Sequence, residues 1–122
     1  MGSVYTDVRI DGVNGSASVH ALVDTGARRN FIRSDLEDGG TVDDLGISEY
    51  RSVVPITLAD NRVIQGKVVR FPRMGILDRV VELPEFVVFR EFACEAVIGV
   101  LTMQSLHIVV NPSEHSVSAG TG

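Results

Sequence analysis

The chain has 122 residues, enough for one domain of ordinary size but not two, and its 44% apolar content suffices for a single packed core. A net charge of −5 argues against nucleic acid as a bulk electrostatic partner, and the one local basic cluster, Arg28-Arg29 with Arg33, is small. Cys94 is alone, which excludes an intrachain disulfide and a thiolate metal cluster.

The N-terminal triplet Met1-Gly2-Ser3 reads as residues added to the natural chain, residues 119–122 as a disordered tail, and 1–122 as a single domain. Val4 to Ile10 alternates apolar and polar with period two, and Asp11-Gly12-Val13-Asn14-Gly15 supplies turn chemistry. Asn14-Gly15-Ser16 matches a glycosylation sequon, yet with no secretion signal it reads as part of that turn. Ser18 to Val23 is the expected return strand and delivers Asp24 at its end. Ser34-Asp35-Leu36-Glu37 has capping-box spacing, so a short helix is predicted over about 34–45, interrupted at Asp38-Gly39-Gly40. Val53 to Ala59 and Arg62 to Val69 flank Asp60-Asn61, two residues that tolerate left-handed backbone, and predict a tight hairpin.

Further strand is expected at Arg79 to Leu83 and Glu85 to Phe89, broken by Pro84. Ala96-Val97-Ile98 reads as a buried strand ending at Gly99, Val100 to Leu106 as one or two helical turns, and His107 to Val110 as the last strand. Many short strands with one or two short helices predict a mostly β fold, a small closed barrel or sandwich.

No chemistry other than carboxylate chemistry finds support. His20, His107 and His115 lie far apart and none sits in an HxxxH or CxxC frame, so no metal is expected. GxSxG, Walker and GxGxxG motifs are absent, and no cofactor is expected. Cys94 lacks a neighbouring His and reads as a small core residue. No run approaches the roughly 18 apolar residues of a membrane span and no signal-peptide core is present, so no membrane partner is expected. The compartment stays open, with the cytoplasm favoured.

Asp24-Thr25-Gly26 remains. A turn aspartate ordinarily sits among polar residues, whereas this one follows Ala21-Leu22-Val23 and precedes Phe31-Ile32. A carboxylate in such surroundings is costly unless paired, hydrogen-bonded or neutralised.

Here the chain resembles the retropepsin-like aspartic proteases, including those of LTR retrotransposons. The resemblance is carried by Leu22-Val23-Asp24-Thr25-Gly26-Ala27, then Asn30-Phe31-Ile32, Leu36 and Leu45-Gly46-Ile47. A flap-like hairpin follows at 56–66, and Ala96-Val97-Ile98-Gly99-Val100-Leu101 comes near the end. It spans roughly residues 4 to 118. The chain departs from many members at Leu101, where Asp or Asn is common, and at Arg28-Arg29 with Val100, where an acid-to-Arg pair is usual. The hairpin tip also lacks the Gly-rich run of the viral enzymes.

The resemblance implies a small closed barrel of the acid-protease type, one lobe per chain, and an aspartic endopeptidase. Peptide hydrolysis by carboxylates needs two that share a proton, one activating water and one donating to the carbonyl oxygen. This chain offers a single Asp-Thr-Gly, so the partner carboxylate is expected from Asp24 of a second chain across a two-fold axis. The expected partners are therefore a second copy and an extended peptide. Asp24 would be catalytic, with Thr25, Gly26 and Ala27 supporting its loop. Leu58, Ala59, Asp60, Asn61 and Val63 would form the flap, and Ile98 and Gly99 would pack beside the loop. The alternatives are a catalytically inactive module of the same fold, used for dimerisation or peptide binding, and an unrelated β domain in which Asp24 is a turn.

Overall fold

The computed structural model describes residues 4–58, 60–90, 94–114 and 116–120. Strand β1 (Val4–Asp11) pairs antiparallel with β2 (Ser16–Asp24) in an unbroken register from Val4↔Val23 to Asp11↔Ser16. Period-two alternation decides which face is buried: Val4, Val8, Ile10, Ala17, Val19, Ala21 and Val23 all enter the core. A one-residue slip would expose the whole set, so the register that places Asp24 at the strand end is strongly fixed.

The remaining strands are β3 (Phe31–Arg33), β4 (Glu49–Thr57), β5 (Val63–Arg70), β6 (Arg73–Ile76), β7 (Arg79–Glu82), β8 (Glu85–Phe89), β9 (Ala96–Gly99), β10 (Ile108–Asn111) and β11 (Ser116–Ala119). Among the described residues nine of the eleven strands, β1 and β2 included, form one sheet in the order β4-β5-β8-β3-β9-β2-β1-β6-β7, and β10 pairs with β11. The mostly β fold is as expected, but the barrel is not closed. Among the described residues β4 pairs only with β5 and β7 only with β6, which leaves two edges. Much of β4 is exposed, so the β4–β5 hairpin extends as an arm rather than returning to seal the sheet.

The first predicted helix is corrected. Helix α1 covers only Val42–Leu45, and its capping box is Thr41 with Asp44, not Ser34 with Glu37. Leu36 is buried in the core, and turns closed by Leu36 N–H to Gly40 O and Gly39 N–H to Leu36 O take the place of helix. Gly39, at φ 91, and Gly40 deny the first box the length a helix needs. Helix α2 (Val100–Ser105) falls where expected. The last strand is β11 rather than the 107–110 segment, so Ala119 belongs to a strand. Residues 121 and 122 lie outside the described residues. Among the described residues no helix is long and apolar enough to cross a membrane.

The topology positions one loop. Strand β9 lies between β2 and β3, parallel to β2 with Asp24 opposite Gly99 and antiparallel to β3. The chain leaving β2 must therefore cross the end of β9 to reach β3, and residues 24–30 make that crossing.

Candidate active site

Asp24 ends β2 half-buried, and its turn holds it. Its Oδ1 accepts from Gly26 N–H at 2.8 Å, while its carbonyl accepts from Ala27 N–H at 3.1 Å. A carboxylate bonded to the amide two residues on is the local geometry that an Asp favours over apolar types. A Cβ at residue 26 would stand 3.2 Å from that oxygen, tighter than ordinary contact, so glycine keeps the carboxylate uncrowded. Thr25 and Gly26 are exposed and Ala27 is half-buried.

The crossing loop rests on the end of β9. Ala27 O accepts from Val100 N–H at 2.7 Å. A Cβ on Gly99 would come within 2.6 Å of Arg29 O and 2.9 Å of Ala27 O, so only glycine lets the loop lie this close. Ile98 is fully buried opposite Val23. The structure thus brings Asp24, Thr25, Gly26, Ala27, Ile98 and Gly99 to one place.

Sequence reasoning quoted Asn30 only as part of a motif and gave it no task. It is 6% exposed and clasps three segments. Its Oδ1 accepts from Gly99 N–H at 2.9 Å, and its Nδ2 donates to Thr102 Oγ1 at 2.9 Å and Glu85 O at 3.3 Å. Its own carbonyl accepts from Val87 N–H at 2.9 Å. One side chain therefore satisfies the buried amide at the start of α2 and ties the loop to β8. The only signal for it was a polar residue placed directly before an apolar pair. Glu95, 4% exposed, was missed as well; its two carboxylate oxygens accept from His20 N–H and Glu37 N–H at 2.7 and 2.8 Å.

The β4–β5 hairpin packs against β3 and β8. Val54, Ile56, Leu58 and Ile64 pack with Phe31, Val68, Val87 and Phe89, so the hairpin's inner face meets the strand that follows the crossing loop. Leu58 N–H donates to Arg62 O at 2.8 Å, and Asn61 takes φ 68, the left-handed residue of a short hairpin loop. Asp60 and Asn61 are exposed. The hydrogen bonds from Arg62 N–H and its guanidinium hold the Asp60 carboxyl below the usual carboxylate range. Val63 lies on the outer face, 61% exposed, and Ala59 falls outside the described residues.

Cys94 is neither core nor free surface. Burial pushes its thiol up, the Arg33 charge opposes that shift, and the Asp24 carboxylate adds to it, which places the thiol within the electrostatic reach of the loop. A thiol shifted this way is a weak nucleophile at neutral pH.

An aspartate held by its own turn at the end of a central strand, on a loop clamped over a second strand, defines a class: β-rich proteins organised around an Asp-Thr-Gly loop. The chain belongs to the aspartyl protease family, whose model matches residues 6–117. The crystal structure of the retroviral protease-like domain of Ddi1 from Leishmania major is similar in fold, with a TM-score of 0.62 at 13% identity over 98% of this chain and 89% of that one. No curated protein matches the chain by sequence.

Proposed function

We propose that residues 1–122 act as one domain of an aspartic endopeptidase, in which Asp24 from two copies forms the catalytic pair. The observation that carries the reading is the crossing loop. It presents one half-buried Asp24, bonded on Oδ1 to Gly26 N–H, at a strand end backed by Gly99. These 122 residues hold one Asp-Thr-Gly, and the reading takes the other carboxylate from a second copy. Two carboxyls at close range cannot both ionise comfortably and titrate as a pair sharing one proton. The ionised member removes a proton from water as it attacks the peptide carbonyl, and the protonated member donates to the carbonyl oxygen.

The neighbours have matching tasks. Thr25, exposed at the loop, would tie the two loops together through its hydroxyl. The hairpin carrying Leu58, Asp60 and Asn61 would lie over an extended peptide, offering main-chain partners and excluding water. Neither a metal nor Cys94 enters the reaction.

The test is cleavage of a diverse peptide library from about pH 4 to 7 by the parent and by Asp24→Asn, which keeps the shape and removes the titrating carboxyl. Cleavage that disappears in the variant while folding is retained supports the peptidase. Equal cleavage by both, or none by either where dimers are shown to form, overturns it. The second outcome would leave a non-catalytic peptide-binding or dimerisation module.

A further inference from the structure

The hydroxyl of Ser34 is buried without a hydrogen-bond partner among the described residues. Such an atom is costly to leave unmade. It lines a cavity of about 440 Å³, bounded by the 34–43 segment on one side and by β5 and the end of β8 on the other. Val42, Val69 and Val88, all buried in the main core, form the floor.

The rim carries opposite charges on its two sides. Asp35 and Asp43 stand on the 34–43 segment, where a bridge joins Asp35 to Thr41. Lys67 on β5 and Arg90 beyond β8 stand opposite, and Lys67 pairs in register with Val88, two residues before Arg90. All four are exposed, and none of their charged groups has an ion pair or hydrogen bond among the described residues.

This place is distinct from the Asp24 loop. Strand β3 runs antiparallel to β9, away from Gly99, so Ser34 lies four residues, or about 13 Å, beyond Asn30 along the strand. Alternation separates the faces as well. Val69 and Val88 belong to the main core, whereas their neighbours Val68 and Val87 pack with the hairpin's inner face. The cavity floor is therefore on the other face of β5 and β8 from the surface the hairpin covers.

An occupant suited to these walls has an apolar body, a cation at one end, an anion at the other and a polar group between them for Ser34. A dipeptide with free termini has all of these, since its one amide can both donate and accept. Extended, it spans about 7 Å, within a cavity that would be about 9 Å across if round, whereas a tetrapeptide at about 14 Å exceeds it. We infer that this cavity is a binding site for a zwitterionic dipeptide, its ammonium toward Asp35 and Asp43 and its carboxylate toward Lys67 and Arg90. Tyr50 and Lys67 lie toward the root of the β4–β5 hairpin, so an occupied cavity ties that root to the 34–43 segment. The inference concerns binding alone and does not rest on the peptidase reading.

The experiment titrates the protein with leucyl-leucine, with its N-acetyl form and with its C-terminal amide, followed by NMR so that affinity and location are read together. The free dipeptide should bind with a Kd of about 0.1–1 mM and shift the methyl signals of Val42, Val69 and Val88. Each cap should weaken binding about two- to fivefold, and the differences should shrink at about 0.5 M salt. Lys67→Gln/Arg90→Gln should bind the free dipeptide and the amide alike while still favouring the free form over the N-acetyl form. Asp35→Asn/Asp43→Asn should show the reverse. No binding up to about 10 mM would overturn the inference. So would equal affinity for free and capped forms, shifts confined to the Asp24 loop, or double variants that keep the parent's ratios. None of these outcomes depends on cleavage, so failure here leaves the peptidase reading untouched.

Discussion

Replacing Asn30 by Ala tests how the fold holds the Asp24 loop. The substitution removes the acceptor for Gly99 N–H and the donor to Thr102 Oγ1 and Glu85 O, all at a side chain only 6% exposed. An orphaned buried amide costs about 1–3 kcal/mol, and losing the bond to Thr102 adds about 1 kcal/mol, for a total of about 2–4 kcal/mol. For a domain of this length that corresponds to a melting temperature lower by roughly 8–16 °C. Urea unfolding at matched chain concentrations measures it, because coupling to dimerisation would otherwise shift the midpoint. Asn30→Asp separates the two halves of the clasp. It keeps an acceptor for Gly99 but sets a second oxygen against Glu85 O, so part of its loss should be recovered at acid pH, where the protonated carboxyl can donate. An Asn30→Ala protein within about 0.5 kcal/mol of the parent would refute the clasp.

Three further outcomes follow from the same geometry. Glu95→Gln turns an amide N–H₂ toward a backbone donor at His20 or Glu37, so stability should fall by about 1–3 kcal/mol and hydrogen exchange at one of these two amides should quicken; unchanged protection at both would contradict the account. The Asp11 carboxyl is held below its ordinary value by the Ser16 hydroxyl and by Arg9. Its folded-state pKa lies below the unfolded one, so its contribution is present above about pH 4 and lost as pH falls through the folded value. Asp11→Asn should therefore cost about 0.3–1 kcal/mol at neutral pH, with the gap closing in strong acid, where Asp11 is protonated in both states. A gap that persists there would mean the carboxylate's charge is not its source. Alkylation of Cys94 should be slower than that of a free cysteine at pH 7 and should accelerate above about pH 9; rapid labelling at neutral pH would contradict a thiol raised by burial.

How much of this was legible follows the strength of local signals. The run from Ala21 to Ile32 was readable because an aspartate among apolar residues contradicts its surroundings unless something holds it. The hairpin was readable from Asp60-Asn61 between two apolar strands, and Asn61 does adopt the left-handed conformation. The helix boundary was not readable, because Ser34-x-x-Glu37 and Thr41-x-x-Asp44 both have box spacing, and the burial of Leu36 together with the turn at Gly39-Gly40 decides for the second. Strand β6 was missed because Arg73-Met74-Gly75-Ile76 is too short to show alternation, and it forms by pairing with β1 and β7. Strand β11, Ser116–Ala119, has one apolar side chain larger than alanine and exists through its pairing with β10. Asn30 was hidden for a different reason. Its partners are 55 to 72 residues away in sequence, so nothing nearby marks what it does.

The central claim, that catalysis needs Asp24 from two chains, is tested most directly by mixing. Parent and Asp24→Asn proteins are combined at fixed total chain concentration, above that needed for dimers, and left to exchange before peptide cleavage is measured. If both carboxylates are required, mixed dimers are inactive and cleavage falls with the square of the parent fraction, to about one quarter in an equal mixture. A linear fall, to about one half, would mean that each chain works with its own Asp24 alone and would contradict the account.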